Sequence, residues 1–147
     1  MPASAELTPR SFPEHDYAVG REKIREYARA VGETDSLYFD VGAARAAGHA
    51  DVVAPPMFAV VYSGAAFAAA MGDPELDIDL AMLLHSGQEF DWGELVIAGD
   101  HITTRTSLAD VSQRLGMRFI VFKTNSRNQR GQDVCEGTWT VVVRQRT

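Results

Sequence analysis

The chain has 147 residues, 46% hydrophobic and 23% charged, the composition of one ordinary globular domain. Its net charge of −6 and its lack of any basic run exclude a surface of the usual nucleic-acid-binding kind. A single cysteine, Cys135, excludes an internal disulfide and fits a cytoplasmic location; no signal-peptide core or membrane span is expected, since the longest apolar run, near residues 57–71, is short and alanine-rich.

In chain order, residues 1–16 hold three prolines among polar side chains and are expected to form a loose arm ahead of a single domain over 17–147. Residues 20–32, GREKIREYARAVG, set Ile24, Tyr27, Ala28 and Val31 at helical spacing, with Gly32 placed to end the helix. A loop, GETDSLYFD, leads into a short helical piece, VGAARAAG. Pro55 and Pro56 then mark a helix start, because proline is tolerated in the first turn. From Met57 to Met71 this helix is apolar on nearly every face and is expected to be buried on every face, with Gly72, Asp73 and Pro74 stopping it.

The period changes after that. DIDLAMLLHSGQEFDW, HITTRTSLADVSQRL, MRFIVFKTNSRN and DVCEGTWTVVVRQRT are rich in Val, Ile, Thr, Phe and Trp with partial alternation, and read as strands separated by glycine- and asparagine-bearing turns. One all-apolar helix followed by about four antiparallel strands predicts an α+β domain, a curved antiparallel sheet wrapped around a long central helix.

Three segments carry a family resemblance: IREYARAVGETDSLYFDVGAARAAG, VVAPPMF and HSGQEFDWGELVIAGDHI. Over residues 17–143 the chain resembles the MaoC-like dehydratases, or (R)-specific enoyl hydratases. More narrowly it is similar to the N-terminal-type subunits of mycobacterial (3R)-hydroxyacyl-acyl carrier protein dehydratase. The resemblance implies a hot-dog fold and reversible addition of water to an enoyl thioester of coenzyme A or acyl carrier protein, with no cofactor. Catalytic members hold the water on the Asp and His of a Gly-Asp-x-Asn-Pro-x-His loop. A backbone N–H, from the glycine of a His-Gly at the start of the central helix, meets the thioester oxygen.

Against that pattern Gly32 matches the loop glycine, but Glu33 stands at the aspartate, Asp35 at the asparagine, Ser36 at the proline and Tyr38 at the histidine. Pro55-Pro56 replaces His-Gly, so Pro56 stands where a donor belongs and has no N–H. Tyrosine has a pKa of about 10 against about 6.5 for histidine, a poor base near neutrality. The usual catalytic pair is therefore expected to be missing, with Glu33, Asp35 and Tyr38 left as degenerate positions. We read Asp35 as a turn residue bonding backbone N–H groups, and Glu33 and Tyr38 as a helix-end carboxylate and a packed aromatic.

The resemblance implies a pairing: one hot-dog chain carries the catalytic residues and the other shapes the acyl channel. The expected role is this second one, in a heterodimer with a catalytic MaoC-like chain. Two alternatives stay open: a homodimeric hydratase using Glu33 with Tyr38 or His85, and an acyl-thioester-binding protein without chemistry. Candidate substrate-binding residues are Pro56, Met57, Phe58, Tyr62, His85 and Gln88, with Phe67 and Met71 as further channel candidates. His15, His49 and His101 lack supporting neighbours, no histidines have metal-ligand spacing, and Cys135 reads as inert core. Gly99-Asp100 is a turn signal. No acid lies between Asp51 and Asp73, against a thioesterase carboxylate on the central helix.

Overall fold

Alternating side chains on β4 (His101–Arg114), β5 (Met117–Arg127) and β6 (Asp133–Arg144) build the middle of one antiparallel sheet in the computed structural model, which describes residues 10–145. Ile102, Thr104, Thr106 and Leu108 of β4 are buried, as are Ile120, Phe122, Thr124 and Ser126 of β5, while the residues between them face outward. β3 (Leu83–Trp92) pairs with β6 at one edge. β1 (Arg10–Ser11) and β2 (His15–Ala18) both pair with β4 at the other. Register shifts between His85 and Gly87 in β3 and between Leu108 and Asp110 in β4 bend the sheet.

Two expectations change at the ends of this sheet. The loose arm anticipated over residues 1–16 is ordered from Arg10 onward, because β1 and β2 supply hydrogen-bond partners to the edge of β4 and Phe12 sets its ring 6.1 Å from that of Phe122. Residues 1–9 lie outside the described residues. The strand anticipated from residue 77 starts only at Leu83, since Asp79 accepts a hydrogen bond from Ala81 N (3.0 Å) and caps a single turn at Leu80–Met82.

The central helix, α3 (Ala59–Met71), lies in the concavity behind a tight turn at Pro56–Phe58. Tyr62, Ser63, Ala66, Phe67 and Ala70 face the sheet and are buried. The Phe67 ring stacks on Trp139 at 4.4 Å and meets Phe122 edge-on at 5.5 Å. Burial on every face does not hold, however: Ala65, Ala68 and Ala69 are exposed, and Val61 and Gly64 are half-buried. One sheet layer covers one side of a helix, so the opposite apolar side is left open.

α1 (Arg21–Ala30) buries Ile24 and Ala28, and Tyr27 reaches Phe58 at 5.5 Å between ring centroids. Val31 is 52% exposed and lies past the end of the helix rather than on its apolar face. Gly32 follows with φ +77°, the left-handed value that glycine adopts freely. Arg21 forks onto Asp51 (3.0 and 2.7 Å), tying the start of α1 to the chain ahead of the central helix. α2 (Val41–Ala46) is capped by Asp40, whose carboxylate accepts from Ala43 N at 2.7 Å.

Candidate functional site

The loop that ends α1 is a capped turn. Asp35 accepts from Leu37 N (2.9 Å), and Asp35 O accepts from Tyr38 N (3.1 Å), closing the turn Ser36–Tyr38. The Asp35 carboxylate is thus engaged by the backbone, as the turn reading expects. Leu37 O accepts from Val53 N (2.9 Å), which pins the loop to the strand-like segment preceding the central helix. Burial raises the pKa of the Tyr38 hydroxyl, and the negative charges of Glu33 and then Asp35 raise it further. Tyr27 is shifted upward the same way, by burial and then by Glu33. Glu33 is therefore the charge that both phenols sense, and both keep their protons at neutral pH. The group can donate hydrogen bonds; Tyr38 cannot take a proton there.

The start of the central helix is closed in a second way. Pro56 has no N–H to offer, and its carbonyl accepts from the indole Nε1 of Trp92 at 2.8 Å. Just before it, Ala54 N donates to Val96 O (2.8 Å) and Ala98 N to Val52 O (3.0 Å), forming a short paired ribbon around the Val53–Ile97 bridge. Asp100, 3% exposed, locks the turn of that ribbon: its carboxylate accepts from Ile97 N (3.0 Å) and from Gln129 Nε2 (2.9 Å). The Gly99-Asp100 pair is structural, with Gly99 at φ +93°.

Between this ribbon, the end of β3 and the first turns of α3 lies an apolar cavity of about 380 Å³. Ala54, Pro56 and Tyr62 line one side; Trp92, Leu95 and Val96 line the other. Tyr62 is 2% exposed, and burial pushes its hydroxyl pKa well above the tyrosine range. The Cys135 thiol, buried in the same core cluster, is pushed up to about 11 by burial. The cavity depends on Gly93. A Cβ there would lie 2.2 Å from Asp133 O, so glycine alone lets the chain leave β3 tightly enough to swing Leu95 over the opening.

The structure divides the sequence-derived candidates. Pro56 and Tyr62 line the cavity; Met57, Phe58, His85 and Gln88 do not. Met57 is 44% exposed. Phe58, 1% exposed, is a core ring between Tyr17, Tyr27 and Tyr62 at 6.3, 5.5 and 6.2 Å. His85 stacks on Trp139 (5.8 Å) with Nε2 3.0 Å from Gly87 O, and its ring is exposed. Gln88 Nε2 donates to Thr138 O at 3.2 Å. Glu33, Asp35 and Tyr38 do not line the cavity either. Sequence reasoning missed Trp92, Leu95 and Val96; the one available signal was a tryptophan followed by glycine at the end of a strand. Among the described residues no helix is long and apolar enough to cross a membrane.

Comparison with known proteins places this geometry. A family model described as FAS1-like, dehydratase domain region, matches residues 7–137. A UPF0336 protein of Saccharopolyspora erythraea is 38% identical over 145 residues, covering 98% of this chain and 93% of that one. A UPF0336 protein of Clavibacter michiganensis subsp. michiganensis is 39% identical over 145 residues, covering 98% and 97%. Among solved structures, the C-terminally truncated HadBC (3R-hydroxyacyl-ACP dehydratase) complex of Mycobacterium tuberculosis superposes with a TM-score of 0.75 at 28% identity, over 92% of this chain and 94% of that chain. The R-hydratase PhaJ1 of Pseudomonas aeruginosa shares the fold, with a TM-score of 0.75 at 17% identity over 97% and 85%.

Proposed function

The chain belongs to the FAS1-like dehydratase-region family of hot-dog dehydratases and hydratases, and on that premise we propose that it is the channel-forming or stabilising subunit of a (3R)-hydroxyacyl-thioester dehydratase. Its partner is a second hot-dog chain that carries the catalytic Asp and His. The substrate is an acyl thioester of coenzyme A or of acyl carrier protein.

The observation that carries this reading is the helix start. Eliminating water from a 3-hydroxyacyl thioester requires a base at C2, an acid for the departing C3 oxygen, and a donor to the carbonyl as it gains enolate charge. Pro56 supplies no donor, and the indole of Trp92 occupies its carbonyl. Asp35 is engaged by Leu37 N, and Tyr38 stays protonated. That leaves Glu33 beside two phenols, Tyr27 and Tyr38, that both keep their protons at neutral pH. Pairing is supported by two open surfaces: the uncovered apolar side of α3 at Ala65, Ala68 and Ala69, and β3, an edge strand whose one strand partner among the described residues is β6.

The test is hydration of crotonyl thioester by the purified chain, then by the chain mixed with a MaoC-like chain bearing Gly-Asp-x-Asn-Pro-x-His. Activity is expected only in the mixture, with the two chains co-eluting in size-exclusion chromatography. Ala68→Glu, at the open side of α3, is expected to abolish co-elution while leaving this chain folded. Turnover by the chain alone, lost in Glu33→Gln, would establish a stand-alone hydratase instead.

A further inference from the structure

We infer that the outward face of the sheet, at the β4–β5 hairpin end, is an interface for a second copy of this chain, packed sheet against sheet about a two-fold axis. The strand pattern points there. A sheet covered on one face alternates apolar and polar residues, whereas a continuous apolar run marks a strand buried on both faces. Lys123, Asn125 and Arg127 of β5 and Glu136 and Thr138 of β6 keep the outward face polar along most of its length. At the hairpin end the alternation stops in three neighbouring strands at the same height: Leu83-Leu84 in β3, Phe119 to Phe122 in β5 and Val141 to Val143 in β6. Register sets Leu84 beside Val142, Val142 beside Phe119 and Phe119 beside Ser112, one row across the outward face. Met117 and Val121 flank Phe119 on that face. Leu84 is 66% exposed, and Met117, Phe119, Val121 and Val142 are half-buried. α3 packs against the other face, so a partner seated on α3 leaves this one open.

The charges at the edges of the patch choose the occupant. A two-fold axis along the row Ser112, Phe119, Val142, Leu84 sets each of these residues against its own counterpart, and Met117 against Val121. On β4 the same operation exchanges positions 110 and 114, which lie either side of Ser112 on the outward face. Arg114 of one copy then faces Asp110 of the other, and the reverse. Both side chains are exposed, and neither has an ion-pair partner among the described residues. The Arg114 guanidinium lies 4.3 Å from the centroid of the Phe119 ring, over the middle of the patch. Sheets packed face to face stand about 10 Å apart, a gap that an arginine and an aspartate together span. Four strands at about 4.8 Å and five residues at about 3.4 Å make roughly 300 Å² of sheet per copy, which places the contact among the small, reversible ones. This inference does not rest on the proposed function.

The experiment is sedimentation velocity of the full chain carrying Ala68→Glu, which closes the α3 route to pairing, over a series of micromolar to millimolar concentrations. A reversible dimer is expected. Arg114→Asp and Asp110→Arg each set like charges face to face twice in the interface, and each is expected to weaken the dimer by about tenfold or more. The double variant Arg114→Asp/Asp110→Arg restores both opposite-charge pairs and is expected to return the dissociation constant to within about threefold of the parent. Phe119→Ser is expected to abolish the dimer. Thermal melts confirm that each variant is folded. A chain that stays monomeric at every concentration overturns the inference and gives the face to a different protein. A dimer that the single charge variants leave unchanged, or that the double variant does not restore, overturns it too and places the contact elsewhere on the surface.

Discussion

Replacing Glu33 by Gln and Tyr38 by Phe together, in the complex with a catalytic chain, is expected to leave kcat/KM for crotonyl-thioester hydration within about threefold of wild type. The magnitude follows from the local structure. Even at the ordinary tyrosine pKa of about 10, less than roughly 0.3% of Tyr38 would be ionised at pH 7.5, and its surroundings push that pKa higher. As a replacement for histidine it forfeits about 300-fold or more. Glu33 is a methylene longer than the aspartate it replaces, and a misplacement of about 1 Å costs on the order of 100-fold. The donor missing at Pro56 costs on the order of 100- to 1000-fold. Taken as independent, these factors exceed about 10⁶, or roughly 8 kcal/mol of barrier, so this chain's own loop has almost no rate to lose. The assay is initial velocity by loss of enoyl absorbance at several substrate concentrations. A fall of 100-fold or more, the loss typical of a removed general base, would refute the reasoning and place the chemistry on this loop.

Three further outcomes test the framework around the site. Phe58→Ala is expected to destabilise the fold by about 3–5 kcal/mol in urea denaturation, because its 1% exposed ring is the centre of the aromatic cluster that seats α1 and the turn into α3. The Asp51 carboxyl is held at about 2, below its ordinary 3.8, chiefly by the hydrogen bonds from Arg21. A lowered folded-state pKa adds stability that is complete above the unfolded value and is lost as pH falls through the folded one. Melting temperature should therefore drop between those two values in the wild type and drop less steeply there in Asp51→Asn, where Asp133, lowered by Asn125 and Arg127, still contributes. Cys135, at about 11, is ionised in about one molecule in a thousand at pH 8, so a thiol reagent should label the native chain at least about 100-fold more slowly than the urea-unfolded chain.

The legible part of this protein is the part written in local pattern. Ile24 and Ala28 announced the buried side of α1, and the alternation through Ile102, Thr104, Thr106 and Leu108 announced β4. The turn at Gly99-Asp100 and the capping role of Asp35 could be read because both depend on residues a few positions apart. β1 and β2 could not be read: two and four residues carry no usable period, and they exist as strands because the edge of β4 binds them. Phe58 and His85 looked like channel residues by type. Whether an aromatic lines a cavity or packs elsewhere depends on what stands against it: Phe58 is buried against Tyr27, while His85 stacks on Trp139 and stays exposed.

What the amino-acid sequence determined alone was the bonding capacity of single positions at the helix start and in the loop. A proline has no amide hydrogen and a tyrosine is not an imidazole in any fold, so Pro56 offers no main-chain donor and Tyr38 offers a phenol before any coordinate is known. What only the tertiary structure decided was where space remains. The cavity wall joins Trp92 to Pro56 across 36 positions of sequence through one 2.8 Å hydrogen bond, and its lining sets Tyr62, a candidate by residue type, against Leu95 and Val96, which no pattern had singled out. Bonding capacity belongs to each residue type, but an unfilled volume belongs to the arrangement of distant segments, and no local pattern encodes it.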